Sequence, residues 1–367
     1  MRYLLIDINN SKNIHKYFNN PDIFCIKDFS KQLKIKYDFV WFADNTLGDI
    51  TDIIEYYFKK KYFIVNNQNL KHWELNRRIG IEKAKLFGIK TPKSVYKVED
   101  VDFEKGIIKP FGGAGYKNSA VFESKEELVK LLENDVYKNG VVIQEFLEGN
   151  EIAFGCYFVN SKPIYPIYVN REYKHSISKD VGGNTGQSAE FGVFTYPTID
   201  YFERISHYLK KHNINYTGLI DINMMEIENE LNFLEWTISR DGYPEIQAFL
   251  SEKDFIPALL VQKDFKPEYK FNYSLILRLD DIENKIKELE LDIEIEKYNF
   301  IPEVDKVNDK YIAKTDDTDN IGILYHKSNE LEEIDISKVK VNYPLLYYVS
   351  FNEEVKNDWK YIKKYIQ

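Results

Sequence analysis

The chain has 367 residues, enough for two or three compact units, and its 44% hydrophobic and 30% charged content is ordinary for a globular protein. A formal net charge of −9 argues against general affinity for nucleic-acid backbones. Two cysteines exclude a disulfide framework, and no apolar stretch is long enough for a signal peptide or a membrane span, so we expect a cytoplasmic protein with no membrane partner.

The first 70 residues read as a small βα unit. Apolar runs predict short strands, and an amphipathic pattern predicts a helix over 50–60; the strands are at 3–8, 39–43 and 62–65. A second helix is predicted over 74–87, because Gly88 and Pro92 follow it. Its Arg77 and Arg78 are interpreted as part of a solvated face, and contact with the phosphates of a ligand is the alternative.

Residues 107–118, I-I-K-P-F-G-G-A-G-Y-K-N, place a glycine-rich turn between Lys109 and Lys117. Glycines allow backbone N–H groups to approach phosphate oxygens, and the lysines supply positive charge. The spacing of a Walker loop is absent, and a plain turn between strands is the alternative reading. We interpret the segment as a phosphate-binding hairpin. Residues 124–133 follow as a helix capped by Ser124.

Residues 141–151 read V-V-I-Q-E-F-L-E-G-N-E, an apolar strand that runs into polar residues, a turn and a second strand. Such a linker presents backbone groups to an adenine edge, apolar side chains to its faces and a carboxylate to the ribose. The alternative is a hairpin with a solvated acidic turn. Residues 174–186 then read as a glycine-containing loop, and 199–212 as a helix.

Asp221 and Glu235 each lie in an apolar strand, with a polar turn near 228–230 between them. A hairpin would bring the two carboxylates side by side. Paired carboxylates in an apolar setting repel unless a cation lies between them, and oxygen ligands suit Mg2+ that bridges substrate phosphates. We therefore predict a metal site here, with a hydrogen-bonded structural role as the alternative for either residue alone.

Beyond residue 266 the pattern changes. Alternating charge predicts an amphipathic helix over 279–290, followed by strands at 321–325 and 345–351 and a basic helix at the end. Cys25 and Cys156 lie in apolar strand-like contexts, which predicts buried reduced thiols.

These segments, in this order, resemble the ATP-grasp superfamily and, within it, the phosphoribosylamine-glycine ligase family, over about residues 72–250. The 141–151 segment is similar to the family's V-V-I-E-E-F-L-D-G-E-E, and 174–186 is similar to its H-K-R-x-x-D-x-D-T-G-P-N-T-G loop. Residues 216–219, Y-T-G-L, resemble Y-T-G-F. Residues 235–247, E-W-T-I-S-R-D-G-Y-P-E-I-Q, resemble E-F-N-C-R-F-G-D-P-E-T-Q with one insertion.

The resemblance implies an α/β (α+β) ATP-grasp fold with three parts. They are a pre-ATP-grasp βα domain (1–70), a two-lobed ATP-grasp domain that holds ATP between its lobes (71–265), and a small carboxy-terminal cap domain (266–367). That last domain would cap the active site or bind a macromolecular partner.

The resemblance also assigns roles to individual residues, and ATP and Mg2+ (or Mn2+) as cofactors. The residues that would hold ATP are Lys109, Lys117, Gln144, Glu145, Leu147 and Glu151. The metal ligands would be Asp221, Glu235 and Thr237. The catalytic residues would be Arg240 and Lys174, and the substrate-binding residues Asp180, Asn184, Thr185 and Gly186.

Two departures from the family pattern bear on function. The second ligand after Glu235 is an Asn in the family and Thr237 here, so Thr237, a water or nearby Asn223 would complete the metal site. The amino terminus, M-R-Y-L-L-I-D-I-N-N-S-K, lacks the family's glycine-rich G-x-G-G-R-E-H turn that receives a ribose phosphate.

The expected activity is therefore an ADP-forming ligase that joins a small amino acid such as glycine to an amine other than phosphoribosylamine. The partners are a small-molecule carboxylate and an amine, and the amine could belong to a peptide, a nucleoside or a modified DNA base. Two alternatives stay open: a genuine phosphoribosylamine-glycine ligase, and a non-catalytic nucleotide-binding module suggested by Thr237.

Overall fold

A computed structural model describes most of the chain. The described residues are 1–6, 16, 18, 21–25, 28–43, 49–111, 119–138, 140–175, 178, 184–238, 243–279, 288–302, 304–308, 310–314 and 320–366.

Helices and strands alternate in the first third of the chain, and strands dominate the rest. The helices are α1 (Phe29–Gln32), α2 (Asp49–Phe58), α3 (His72–Leu75), α4 (Arg77–Leu86), α5 (Lys125–Leu131), α6 (Tyr201–Lys211), α7 (Tyr243–Leu250), α8 (Phe255–Val261) and α9 (Phe351–Ile362). The strands are β1 (Tyr3–Ile6), β2 (Asp22–Ile23), β3 (Phe39–Phe42), β4 (Phe63–Val65), β5 (Ser94–Val95), β6 (Gly106–Pro110), β7 (Ala120–Phe122), β8 (Val141–Glu145), β9 (Asn150–Val159), β10 (Lys162–His175), β11 (Asn184–Thr195), β12 (Gly218–Ile227), β13 (Glu230–Ile238), β14 (Phe271–Leu279), β15 (Glu288–Leu291), β16 (Ile293–Ile295), β17 (Asn299–Pro302), β18 (Asp305–Val307), β19 (Lys310–Lys314), β20 (Asn320–Ser328), β21 (Val339–Val341) and β22 (Leu345–Leu346).

The chain divides into two compact units. The first comprises Met1–Ile6, Phe24–Ile164 and Ile199–Asp241. The second comprises Asp7–Ile23, Tyr165–Thr198 and Gly242–Gln367. The predicted three-domain division stays a prediction.

The first unit contains a parallel sheet, an antiparallel sheet and a hairpin. Strands β1, β3 and β4 pair in parallel, and all four residues of β3 are buried, as expected when both faces of a parallel sheet are covered. The antiparallel sheet has the order β5-β8-β6-β7. Its core is apolar and includes Ile108, Phe122, Leu128 and Ile143. The hairpin β12–β13 pairs with β9 through β12.

Two tryptophans and a glycine join helices α3 and α4 to strand β13. The rings of Trp73 and Trp236 lie 5.5 Å apart, and the indole N–H of Trp236 donates to the carbonyl of Gly80 at 2.9 Å. Gly80 lies in α4, where the absence of a side chain lets the helix approach both tryptophans. This packing positions the start of α4 beside β13.

The second unit is built on an antiparallel sheet in the order β10-β11-β14-β20-β17. Helix α9 packs on this unit through aromatic contacts, such as Phe271 with Trp359 at 5.0 Å between ring centroids and Tyr173 with Phe351 at 5.6 Å. The buried Asp358 of α9 also accepts a hydrogen bond from Tyr173 and pairs with Arg171.

Most predicted elements are confirmed within one to three residues, but several are wrong in detail. The helix predicted over 74–87 is interrupted, because the side chain of Asn76 caps a new helix by accepting from the N–H groups of Arg78 and Ile79. The strand predicted over 345–351 ends at Leu346, and α9 begins at its far end. His175, expected in a loop, ends strand β10.

The helix predicted over 279–290 lies mostly outside the described residues. Its two described ends are strands, since Leu279 closes β14 and Glu288–Leu291 forms β15. Cys156 is a buried free thiol as predicted, whereas Cys25 is only half-buried. Among the described helices, none combines the length and the apolar character needed to cross a membrane.

Gly80→Ala tests the packing of α4. Alanine favours a helix by about 1 kcal/mol over glycine. Here, however, the new Cβ would overlap the carbonyl oxygen of Trp73 and lie 3.1 Å from Trp236. We expect the clash to prevail and the free energy of unfolding to fall by about 1–3 kcal/mol, as measured by urea denaturation. The control is Lys85→Ala on the exposed face of α4, which should change stability little. A Gly80→Ala variant as stable as the parent would refute the tight approach.

Candidate functional site

The hairpin β12–β13 carries the predicted metal ligands. It closes through Glu228 and Asn229, whose φ angles of 50° and 68° match a tight two-residue turn. Further along the ladder, Asp221 lies opposite Thr237 and Asn223 lies opposite Glu235. The predicted hairpin is therefore present.

A β-bulge decides which side chains share a face of this hairpin. Met224 pairs with Phe233 and Asn223 pairs with Glu235, so Leu234 is the extra residue on β13. Without the bulge, Leu234 would face Asn223. The carboxylates of Asp221 and Glu235 therefore lie on one face, but as diagonal neighbours and not directly opposite one another.

Asn223 links two of the predicted ligands. Its side-chain N–H group donates to Asp221 Oδ2 at 3.0 Å and to Thr237 Oγ1 at 3.3 Å. Asp221 and Asn223 are both buried, so these hydrogen bonds help to offset the cost of removing a carboxylate from water. Asn223 thus orients both oxygen donors.

Glu235 pairs with Arg77 across the hairpin and helix α4. Arg77 Nη1 lies 3.1 Å from Glu235 Oε2, and the side chains are 14% and 44% exposed, respectively. Sequence reasoning placed both arginines on a solvated face. That holds for Arg78, which is 60% exposed and pairs with Glu82, but it is wrong for Arg77. The N-cap signal of Asn76 was the sequence feature that could have set Arg77 apart.

One cleft connects these groups to the predicted adenine segment. Its walls come from α3, α4, β8 and β13, and it is lined by Trp73, Glu74, Arg77, Gly80, Ile81, Val142, Gln144, Phe233, Leu234, Glu235 and Trp236. Glu74 helps to fix one wall, because its carboxylate accepts from the N–H of Ile238 at 2.8 Å. The cleft therefore brings Gln144 and Glu235, two of the predicted residues, to the same place.

The described ATP residues predicted in this unit lie on β6, β8 and β9, except Leu147, which follows β8. Gln144 is buried and donates to Ser94 Oγ at 3.0 Å, while Glu145 Oε1 accepts from the N–H of Lys93 at 2.8 Å. Both side chains thus position β8. Leu147 is half-buried in the segment 146–148, which belongs to no strand.

Glu151 and Lys109 complete this set. Glu151 lies opposite Met225, so it shares the hairpin face that carries Asn223. Lys109 is half-buried in β6, opposite Val142.

Several predicted residues cannot be placed at a site. Lys117, Asp180 and Arg240 lie outside the described residues. Asn184, Thr185 and Gly186 begin strand β11, but their side chains lie outside the description. Lys174, in the second unit, is described: it lies near the end of β10 with Nζ 3.6 Å from Glu172 Oε2.

The oxygen donors on the hairpin suit a hard cation. Within the described ranges no three His, Cys, Asp or Glu side chains cluster as a metal site. The set here is instead two carboxylates with a hydroxyl and an amide, from Asp221, Glu235, Thr237 and Asn223. Mg2+ is commonly held by one or two carboxylates while water and substrate phosphates fill its other positions, so this set fits Mg2+.

The sequence is similar to a known protein family and to individual proteins over part of its length. Residues 71–246 match the family described as phosphoribosylglycinamide synthetase, ATP-grasp (A) domain. Phosphoribosylamine-glycine ligase of Pasteurella multocida is 28% identical over 141 residues, covering 35% of this chain and 32% of that protein. A 5-formaminoimidazole-4-carboxamide-1-(beta)-D-ribofuranosyl 5'-monophosphate synthetase of Sulfolobus acidocaldarius is 32% identical over 101 residues, covering 26% and 30%. The matched segments thus span about a third of the length of these curated relatives.

The fold extends over more of the chain than the sequence match. The crystal structure of phosphoribosylamine-glycine ligase from Thermotoga maritima superposes with a TM-score of 0.72 at 16% identity, covering 95% of this chain and 99% of that one. The resemblance predicted from the motifs is therefore confirmed. The chain has an ATP-grasp fold, and its ATP-grasp domain is similar to that of phosphoribosylglycinamide synthetase.

Proposed function

We propose that the chain is an ATP-dependent, ADP-forming ligase that joins a carboxylate to an amine through an acyl phosphate. The observation that carries this proposal is the cleft of the first unit. It is lined by Gln144 and Glu235. Glu235 belongs to the hairpin β12–β13, which carries Asp221, Asn223 and Thr237 on the same face as Glu235. A base-binding strand and an oxygen-rich metal face in one unit are what a nucleotide-dependent enzyme needs.

The chemistry requires positioning and charge neutralisation from the protein. A carboxylate oxygen of the acid attacks the γ-phosphorus of ATP, the bond to the β-phosphate oxygen breaks, and ADP leaves. Mg2+, held by Asp221 and Glu235 with Thr237 or Asn223, would supply positive charge that stabilises the transferring phosphoryl group. Lys109, Lys117 and Arg240 would add fixed positive charge around it.

The second half of the reaction forms the amide. The amine nitrogen attacks the acyl carbon, inorganic phosphate leaves with the bonding electrons, and the nitrogen gives up a proton. Because an acyl phosphate hydrolyses readily, the protein must exclude water while it holds both substrates. Lys174, Asp180, Asn184, Thr185 and Gly186 are proposed to hold the acid at this stage.

We infer a small amino acid such as glycine as the acid, and an amine other than phosphoribosylamine. The first twelve residues lack glycine altogether, and a backbone nest for a ribose phosphate relies on glycine. The amine could be a free small molecule or part of a larger one. A genuine phosphoribosylamine-glycine ligase is the competing outcome, and ADP release with phosphoribosylamine and glycine as the favoured pair would support it.

Glu235→Gln tests the metal face. In the parent, Mg2+ with ATP should raise the melting temperature, because a ligand at about 100 times its Kd stabilises the folded state by about 2.7 kcal/mol. An amide is a much poorer Mg2+ ligand than a carboxylate, so the variant should lose most of the shift and most ADP formation.

Glu230→Gln is the matched control, since Glu230 is an exposed carboxylate on the same strand. It should keep the full melting shift. Because Glu235 also pairs with Arg77, each shift is measured against the same variant without nucleotide. Equal shifts in Glu235→Gln and the parent would remove Glu235 from the metal site.

Thr237→Val and Thr237→Asn test whether the hydroxyl contributes an oxygen ligand. Valine keeps the shape of threonine but removes its oxygen, so Mn2+ binding in the presence of ATP should weaken by several fold. Asparagine restores an oxygen donor and should bind Mn2+ at least as well as the parent. Titration of free Mn2+ by electron paramagnetic resonance gives both affinities. Unchanged affinity in the valine variant would leave the ligand role to Asn223 or water.

A further inference from the structure

Helix α2 presents aromatic side chains on the surface of the first unit. On its outer face Ile53, Tyr56 and Tyr57 are 57%, 50% and 45% exposed. Its inner face is buried, since Ile54 and Phe58 are 2% and 0% exposed. The helix therefore packs one apolar stripe on the core and still leaves two tyrosine rings in contact with solvent.

Lysines surround these rings. Helix α2 is followed directly by Lys59, Lys60 and Lys61, and all three are exposed. The Nζ atoms of Lys60 and Lys59 lie 4.0 Å and 5.7 Å from the centroid of the Tyr56 ring. A hydrogen bond from Lys60, and next the positive charge of Lys60, lower the pKa of Tyr56. The electrostatic potential around this ring is therefore positive.

Helix α1 and the turn after it extend the same surface. The ring of Phe29 lies 5.5 Å from the ring of Tyr57, edge to face. Lys61 Nζ donates to the carbonyl of Leu33 at 3.2 Å, which holds the end of α2 beside the turn that carries exposed Lys34. The two segments thus form one continuous surface. We define this basic aromatic surface as Lys34, Tyr56, Tyr57, Lys59, Lys60 and Lys61.

The lysines of the basic aromatic surface have no carboxylate partner in the described part of the chain. Exposed lysines elsewhere do pair with carboxylates, as Lys90 does with Glu230. The acidic residues in the middle of α2 are already engaged, because Asp52 pairs with Lys71 and Glu55 Oε2 accepts from a backbone N–H at 2.8 Å. The positive charge of the surface is therefore left for an anionic partner.

Fixed cations beside flat aromatic rings are what single-stranded nucleic acid requires. Its phosphates pair with lysines, and every base has a π-face that can stack on a tyrosine. The net charge of −9 opposes the approach of a polyanion to the chain as a whole. At physiological ionic strength, however, exposed charges more than about 8 Å apart are largely screened, so the local lysines govern contact.

Two other anionic partners fit this surface less well. An amphipathic helix binds an anionic membrane by burying an apolar face in it. On α2 the apolar stripe is already buried in the protein, and Ile53 is the one exposed aliphatic side chain described on this helix. An acidic peptide would pair with the lysines, but aspartate and glutamate have no flat apolar face to stack on the tyrosines.

We propose that the basic aromatic surface binds single-stranded nucleic acid. Lys34, Lys59, Lys60 and Lys61 bind its phosphates, and Tyr56 and Tyr57 stack on its bases. The surface shares no residue with the cleft that is lined by Gln144 and Glu235, so this inference does not depend on the proposed function.

The test measures binding to the full chain by fluorescence anisotropy. One labelled strand is an oligothymidylate, and the other is an abasic strand of the same length, which has the phosphates but no bases. The parent should bind the oligothymidylate at low salt, with an affinity that falls as salt rises. It should bind the abasic strand more weakly, because that strand offers nothing to stack.

The double variant Lys59→Gln with Lys60→Gln tests the phosphate contacts. It should weaken oligothymidylate binding by about tenfold and make the salt slope about 1.4 less steep, since each phosphate contact to a single strand contributes about 0.7. The matched control is Lys210→Gln with Lys211→Gln, an adjacent pair of exposed lysines at the end of α6. The control changes the net charge equally and should bind as the parent does.

Tyr56→Leu tests stacking separately from charge. Leucine keeps an apolar side chain but removes the π-face, so oligothymidylate binding should weaken by about fivefold or more. Binding of the abasic strand should stay as in the parent. The substituted side chains are all exposed, and equal melting temperatures of the variants and the parent check that each variant is folded.

Three outcomes would overturn the proposal. The first is a parent that does not bind the oligothymidylate at low salt, or lysine-pair variants of α2 and α6 that bind it equally. The second is equal affinity of the parent for the two strands, which would leave a site for charge alone. The third is tighter binding to phosphatidylserine vesicles or polyglutamate than to the oligothymidylate, which would assign the surface to a membrane or an acidic peptide.

Discussion

Burying a carboxylate costs free energy, and the hydrogen-bond and ion-pair partners that offset this cost also fix the orientation of its oxygen atoms. On the hairpin β12–β13, the side-chain amide of Asn223 donates hydrogen bonds to buried Asp221 and to Thr237. The carboxylate of Glu235 accepts from Arg77 of helix α4. The bulge at Leu234 is what turns all of these groups to one face. If β13 slipped by one residue, its polar and apolar side chains would exchange faces and the proposed metal site would be lost.

The helices of the first unit are arranged around this face. Trp236, on the strand that carries Glu235, packs on Trp73 and donates to the carbonyl of Gly80. Asn76 begins α4 at the position that directs Arg77 into the cleft. Arg77 supplies positive charge to the carboxylate of Glu235, and a cation bound there, as proposed, would compete with Arg77 for that carboxylate.

Much of the site follows from local sequence patterns. The hairpin and strand β8 could be predicted because apolar runs with isolated charges and turn residues have local signatures. The bulge could not, since an extra residue in a strand shows only in the register of its pairing with the neighbouring strand. The role of Arg77 depended on a helix start at Asn76 that the helical period over 74–87 concealed.

In the second unit too, residues that are distant in the sequence come together in a way that the sequence alone did not predict. Glu190 lies among apolar residues of β11, as Asp221 does in β12, but none of the motifs quoted in the sequence analysis includes Glu190, so it was not selected. Only the strand register brings Asn170, Glu190 and Asn272 together from three separate parts of the chain. The alternating charge over 279–290 predicted a helix; residues 280–287 lie outside the described part of the chain, and the described ends of that segment are strands that pair with β22 and β19.

The central claim is that a divalent cation and ATP bind together on the face of β12–β13. Crystals grown with Mn2+ and a non-hydrolysable ATP analogue would test it through the anomalous signal of the metal. We expect one strong peak at about 2.0–2.2 Å from carboxylate oxygens of Asp221 and Glu235, as for a hard cation in octahedral coordination, with the phosphates beside it. Bound nucleotide with no anomalous peak near these carboxylates would contradict the account.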